Sequence, residues 1–300
     1  RRAAAKVSIN GLVVVDKAAG WTSHDVVARC RGIFGQRRVG HAGTLDPDAT
    51  GVLLVGLGRA TRLMRFLTPL PKTYTTDIVL GTATSTLDAS GEVTATFDMS
   101  GVRPSDVQAA ASALTGAIEQ VPPMVSAVKV GGRRLHALAR EGVEVERKPR
   151  PVTVYRFDTA PHPERSGVYR AQIECSSGTY VRVLADDLGR ALGGGAHVDH
   201  LRRTRIGSFG EADMLPIESI ESMGPDAVLS PAAAMRDLES VRVDDDRAAS
   251  IRTGLALDRV PLGAVGDGPW AMLDATGALL AVYEATGTDR IRPAVVVAGD

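Results

Sequence analysis

The sequence predicts an α+β protein: a large mixed domain followed by a small β-rich one. Three observations predict it. Period-two and helix-period stretches are interspersed along the first 240 residues without a regular strand–helix–strand repeat, which argues against a doubly wound sheet. After about residue 240, short apolar runs at 271–273, 279–282 and 295–297 alternate with Gly- and Asp-rich turns. The chain has 300 residues, 44% of them apolar, enough for one large core and a smaller one.

The elements follow in order. Residues 12–16 are an apolar run and read as a strand. Thr22 or Ser23 caps a helix that turns Val26, Val27, Cys30, Ile33 and Phe34 inward and stops at Gly35. Residues 73–80 set Tyr74, Thr76, Ile78 and Leu80 against Thr75, Asp77 and Val79, the alternation of a strand. A helix is expected over 104–115, opened by Pro104 and closed before Gly116. Tyr169, Ala171, Ile173 and Cys175 alternate again, and 179–192 reads as a helix with Val183, Leu184, Leu188 and Leu192 inward. Residues 129–156 carry 8 Lys/Arg against 3 Asp/Glu and are punctuated by Gly131, Gly132, Pro149 and Pro151. They read as a protruding basic element, strand-poor or helical in its middle.

The formal net charge is zero, but it is unevenly spread. Residues 1–72 hold 12 Lys/Arg and 4 Asp/Glu, a net of +8, while residues 211–300 hold 7 and 16, a net of −9. Such asymmetry suggests nucleic-acid contact by the basic part, against the plainer reading of two solvated surfaces. No run of 18 apolar residues is present, so no transmembrane helix is expected, and the first ten residues lack the apolar centre of a signal peptide. Cys30 and Cys175 have no metal-ligand spacing and read as buried thiols of a cytoplasmic protein. A metal-binding Cys/His cluster, a P-loop and a credible dinucleotide motif are all missing, so neither metal nor cofactor is expected.

The most informative segment is 40–51, GHAGTLDPDATG. It sets one acidic side chain, Asp46, in a loop of Gly, Ala, Thr and Pro, just after Arg37 and Arg38. Small residues let the backbone kink and let another molecule approach, and Pro47 biases Asp46 toward an extended conformation. Further blocks stand in order along the chain: GLVVVDK at 11–17 with TSHD at 22–25, KTY at 72–74, QVPP at 120–123 with SAVK at 126–129, SGTYVR at 177–182, and GAH at 195–197 with LRRT at 201–204. Together these blocks resemble the pseudouridine synthases, specifically the bacterial TruB family that makes pseudouridine 55 in the T-loop of tRNA.

That resemblance implies a catalytic domain over about 8–240 with a mixed, mainly antiparallel sheet flanked by helices. It also implies a thumb-like basic insertion at about 129–156 and a PUA-like RNA-binding domain at 244–296. The acidity of that last domain argues against strong RNA affinity. The implied partner is the T-stem-loop of tRNA, met by a monomeric enzyme.

It also implies roles. Asp46 is the expected nucleophile; a carboxylate must be ionised to attack, so a cation should stand beside it, and Arg182 is that candidate. Tyr74 is expected to stack on the flipped uracil, its hydroxyl taking the C5 proton. Tyr180 and Leu201 are expected to complete an apolar pocket. His41 is expected to fill the stack that the extruded base leaves. Lys17 and Asp88 are placed near the cleft, though Lys17 also reads as a loop cation and Asp88 as a turn residue. Asp48 reads as a solvated turn residue. Arg202, with Arg37, Arg38, Arg59, Arg62, Arg133, Arg134 and Arg203, forms the set of phosphate-contact candidates. Two other readings remain at this point: an RNA-binding or tRNA-folding protein in which catalysis is secondary, and a base-releasing hydrolase.

Overall fold

Thr22 opens the first helix by capping chemistry. Its hydroxyl accepts from the Asp25 amide while the Asp25 carboxylate accepts from the Thr22 amide, and Gly35, in the left-handed region, closes the helix (α1, Ser23–Phe34). In the computed structural model, residues 8–297 are described except 125, 127, 128, 131, 132, 135–140, 142 and 144. The elements before the basic stretch are β1 (Gly11–Lys17), α1, β2 (Val39–Ala42), β3 (Thr50–Leu57), α2 (Met64–Leu67), β4 (Lys72–Leu80), β5 (Thr82–Thr84), β6 (Val93–Thr96), α3 (Pro104–Ala113) and β7 (Gly116–Gln120). A short hairpin, β8 (Lys129–Val130) and β9 (Arg133–Arg134), leads to β10 (Arg150–Pro161), β11 (Val168–Cys175), α4 (Val181–Ala191) and β12 (Ala196–Ile206).

Among the described residues the main sheet has eight strands. Seven run in the order β1-β3-β12-β4-β11-β10-β7, and β2 pairs with β3. Every pairing is antiparallel except β12 with β3. Helix α1 covers β1 and β3 through Val26, Val27, Cys30 and Phe34. Helices α3 and α4 cover β4, β10 and β11 through Val107, Ala111, Leu184 and Leu188. The mixed, mainly antiparallel sheet with flanking helices is the expected α+β arrangement.

The second sheet has five strands in the order β13-β15-β16-β17-β14: β13 (Glu239–Arg242), β14 (Leu257–Asp258), β15 (Trp270–Leu273), β16 (Leu279–Ala285) and β17 (Arg290–Val296). It is not a separate bead. Ala271, Leu279, Val282 and Val295 share one apolar cluster with Leu63, Phe66 and Leu67 of the first domain. Arg59 and Arg62 donate to the carbonyls of Val297 and Val296, and Arg65 pairs with Glu284. Arg59 and Arg62, read as phosphate-contact candidates, thus each also reach the C-terminal part of the chain.

The reading of the basic stretch is corrected in part. Residues 150–156 are the first half of β10, paired with β7 and burying Val152 and Val154, so they belong to the sheet and not to a protrusion. The middle of the stretch, 135–140, lies outside the described residues, as do the side chains of Arg133 and Arg134. Among the described residues, no helix is long and apolar enough to cross a membrane.

Candidate active site

The Asp46 loop leaves the sheet where the neighbour of β3 changes. β2 pairs with residues 54–57 of β3, and β12 takes over beside Thr50 and Gly51. The loop between β2 and β3 therefore has no strand partner and bulges from the sheet. Leu45 and Ala49 anchor it by pointing into the core on either side of Asp46. Emptying such a site by Leu→Ala typically costs about 2–5 kcal/mol.

The rest of the loop is held through its backbone, mostly by its carbonyl oxygens. Ser23 Oγ accepts from the Leu45 amide at 2.9 Å. Lys17 Nζ donates to the carbonyls of Pro47 (2.8 Å), Trp21 (2.7 Å) and Ala18 (3.0 Å). Arg203 donates to the carbonyls of Gly43 (2.9 Å), Thr44 (3.4 Å) and Val52 (2.8 Å). Burial pushes the Lys17 ammonium down to about 8, and Lys72, buried beside the same loop, is likewise pushed down to about 8. With its backbone fixed from below, the loop presents the Asp46 carboxylate upward.

Arg182 meets it there. Its Nε lies 2.9 Å from Asp46 Oδ2 and 3.6 Å from Asp88 Oδ2, and its Nη1 donates to the Thr86 carbonyl at 2.7 Å. Arg182 is 3% exposed, whereas Asp46 is 40% exposed, so a buried cation presents an accessible carboxylate. Arg182 stands in the first turn of α4, whose start is set by Gln120. That buried amide accepts from the Tyr180 N–H at 2.9 Å and donates to the Tyr180 carbonyl at 3.3 Å. Gln120 has no role in the sequence reading; only its place in the QVPP block drew notice. Asp88 satisfies both of its readings: Oδ1 accepts from Thr86 Oγ1 and from the Ser90 amide and hydroxyl, while Oδ2 turns toward Arg182.

Two cavities meet at this pair and share Asp46, Arg182 and Leu201 as a common wall. The first, about 250 Å³, is lined further by Tyr74, Tyr180, Lys72, Arg203 and the Gly43–Leu45 backbone. The second, about 460 Å³, is lined by Asp48, Asp88, Asp199 and His200 among others. Burial raises the pKa of both Tyr74 and Tyr180, which keeps the phenols protonated; for Tyr74 the Arg203 charge works the other way. The structure thus brings together Asp46, Tyr74, Arg182, Tyr180, Leu201 and Asp88.

It does not bring in three others. His41 sits in β2 opposite Val55 and packs edge-on against His24, with ring centroids 5.5 Å apart; it lines neither cavity. Lys17 is buried beneath the loop, its donors directed at three carbonyls, so the loop-cation reading holds and it offers no donor to the cleft. Arg202 forms two hydrogen bonds to Asp16, at 3.0 and 3.1 Å, and a longer contact to Glu211. The reason is strand geometry. Consecutive side chains point to opposite faces, so Leu201 and Arg203 face the cleft side and Arg202 faces away. Arg203, 1% exposed, is correspondingly a buried residue and not a phosphate contact.

A bulge in β12 between Asp199 and Arg202 sets this phase. His200, with φ of 52°, takes the left-handed conformation there, its ring facing the carboxylates of Asp199 (3.2 Å) and Asp77 (3.5 Å). His200→Gly is expected to keep the bulge, whereas His200→Val should cost about 1–3 kcal/mol in the melting free energy because a β-branched residue resists that φ. The valine variant should also lose turnover as Leu201 shifts. Equal melting of the two variants would remove the conformational argument.

Gly51 is a second backbone requirement. It has φ of 102°, and a Cβ there would lie 2.1 Å from the Arg203 carbonyl oxygen. Gly51→Ala should therefore destabilise by at least about 3 kcal/mol, read by thermal melting, because backbone on both sides blocks relief. A melting temperature unchanged by that substitution would contradict the close β3–β12 approach.

Comparison with known proteins shows the family. Residues 31–181 match the model of the TruB family pseudouridylate synthase N-terminal domain, and 182–243 match that of the tRNA pseudouridylate synthase B C-terminal domain. The chain belongs to the TruB family of pseudouridylate synthases. It is 48% identical to the tRNA pseudouridine synthase B of Rhodococcus jostii (strain RHA1), over 92% of this chain and 90% of the relative. It is 47% identical to that of Nocardia farcinica (strain IFM 10152), over 96% and 94%. Among solved structures, a chain in the crystal structure of a Cbf5-Nop10-Gar1 complex superposes with a TM-score of 0.74 at 27% identity, covering 95% of this chain and 83% of that one. The resemblance read from the sequence blocks is confirmed, and the chain is an enzyme of the isomerase class.

Proposed function

We propose that this TruB-family protein converts uridine 55 in the T-loop of tRNA to pseudouridine. The observation that carries the reading is the Asp46–Arg182 pair at 2.9 Å, set in the wall between two cavities with Tyr74 and Leu201 beside it. A uridine inside a folded loop is unreachable until it leaves its stack. The first cavity receives the extruded base against the Tyr74 ring, with Tyr180 and Leu201 closing its apolar sides. The Asp46 carboxylate attacks as nucleophile and the glycosidic bond from C1′ to N1 breaks; the bond to Asp46 breaks in turn as the product forms, which frees the carboxylate again. The detached uracil turns within the cavity, and C5 takes the place of N1 at C1′. C5 then gives up its proton through the Tyr74 hydroxyl, which passes its own proton on as a relay, and N1 ends protonated. Atoms and charge balance without a redox partner, and the product is an isomer of the substrate.

Asp88 supports the Arg182 guanidinium from its second side. His41, on β2, fills the vacated stack. The basic N-terminal part, including Arg37 and Arg38, meets the phosphates. The domain reading, with a catalytic domain over 8–240 and a PUA-like unit over 244–296, fits the two sheets, and the enzyme works as a cytoplasmic monomer. The test is incubation with a T-stem-loop RNA, then digestion and nucleoside chromatography with mass analysis. Pseudouridine of unchanged mass at one position is expected. Free uracil would make the protein a hydrolase, and unchanged RNA held tightly would make it a binding protein.

A further inference from the structure

We propose that Arg203 is a positioning residue that locks the Asp46 loop to Tyr74, so that nucleophile and stacking ring keep a fixed separation across the cleft. The proposal rests on the roles given above to Asp46 and Tyr74.

The topology places Arg203 between the two elements. On β12 it stands directly opposite Tyr74 of β4 and, on the other edge, opposite Gly51 of β3. Its backbone approaches Gly51 so closely that no Cβ fits there. Its side chain runs under the loop to the carbonyls of Gly43, Thr44 and Val52, and its charge acts on the Tyr74 phenol across the strand pair. Arg203 thus bridges the two elements, its main chain in register with Tyr74 and its planar, five-donor guanidinium tied to the loop. Among the described residues it has no carboxylate partner within 4.0 Å.

The choice of arginine follows from the burial. A charge this deep is costly unless it is well hydrogen-bonded. The neighbouring ammonium groups of Lys17 and Lys72 respond by dropping to about 8, whereas a guanidinium stays charged at any working pH. Arg203 therefore keeps its charge and its fork of donors where a lysine would hold its proton less firmly and lack the reach. It touches no phosphate: at 1% exposure it belongs to the floor of the cleft.

The experiment compares Arg203→Lys and Arg203→Met with the parent protein, each alone and combined with Tyr74→Phe. The readouts are single-turnover rate at saturating T-stem-loop, RNA affinity, thermal melting, and tyrosine ionisation followed by difference absorbance against Tyr74→Phe. Arg203→Lys is expected to fold, to bind RNA within about threefold of the parent, and to react about 30- to 100-fold more slowly, as misplacement of a reacting group would produce. In the Tyr74→Phe background the same change should cost about tenfold less, because the loop's placement matters through its separation from the Tyr74 hydroxyl. Removing the cation should also move the Tyr74 ionisation to higher pH.

A full rate at saturating RNA with weakened affinity would overturn the proposal in favour of a phosphate contact. Strictly additive losses with an unmoved tyrosine titration would reduce Arg203 to core support and overturn it equally. Should both Arg203 variants fail to fold, hydrogen exchange in the parent protein decides. The amides of 43–46 should be protected like those of β4 around Tyr74, and fast exchange confined to the loop would refute the lock. The titration and exchange readouts do not depend on pseudouridine formation, so failure of the synthase reading would show separately, as a parent protein that makes no pseudouridine.

Discussion

Asp46→Asn is expected to abolish pseudouridine formation, by at least about four orders of magnitude in single-turnover rate, because an amide supplies no nucleophilic carboxylate. The substitution is nearly isosteric at a side chain 40% exposed, and Arg182 retains Asp88 and the Thr86 carbonyl, so the fold should melt as before. Affinity for a T-stem-loop should stay within about tenfold, because phosphate contacts supply most RNA affinity. Loss of rate and retention of binding must therefore appear in the same protein. A variant that loses both in parallel would place Asp46 in binding, and residual pseudouridine from pure variant would remove it from the chemistry.

Arg182→Lys is the second large effect, expected to lower the rate by about two to three orders of magnitude although the formal charge is kept. Arg182 reaches three groups in different directions: Asp46, Asp88 and the Thr86 carbonyl. A single ammonium on a flexible stem cannot hold two carboxylates and a carbonyl in that geometry, and burial would favour its neutral form. Arg182→Met should be worse. It leaves Asp88 without its cation and should lose about 3–5 kcal/mol of stability, the usual result of removing one partner of a buried pair. Kinetics at saturating RNA together with thermal melts check both statements, and near-parent turnover by the lysine variant would show that Arg182 does not orient Asp46.

Much of the fold could be read locally because local chemistry decided it. Helix α1 carries its own start and stop in Thr22, Asp25 and Gly35, and β4 and β11 alternate so regularly that their buried faces fall as expected. Strand β3 was not legible. It is buried on both faces, so its run of Val and Leu lacks alternation and resembles a core helix segment. Strand β12 was hidden for the opposite reason. Its sequence, AHVDHLRRTRI, is charged, and two bulges break its period; only the tertiary partners Arg165 for Asp199 and Asp16 for Arg202 make those charges tolerable in a central strand.

The site divides in the same way. The motif blocks delivered Asp46, Tyr74, Arg182, Tyr180, Leu201 and Asp88 to one cleft, although no local rule relates residue 46 to residue 182. The adjacent arginines at 202 and 203 look alike in sequence and were grouped together. One strand step separates a residue turned away to Asp16 from one buried beneath the cleft, and that phase depends on the His200 bulge. Lys17 was legible as a cation near the loop, but of its three carbonyl acceptors only Ala18 and Trp21 are local, and the fold alone brings Pro47 to it.

In the proposed mechanism Asp46, oriented by Arg182, drives the transfer of the uridine's glycosidic bond from N1 to C5. Release of tritium from a T-stem-loop labelled at C5 of its uridines tests this most directly, because C5 gives up its hydrogen only when it becomes the glycosidic carbon. Stoichiometric release from one position is expected from the parent protein, and none from Asp46→Asn. Release by Asp46→Asn, or uracil set free with its tritium retained, would contradict that mechanism.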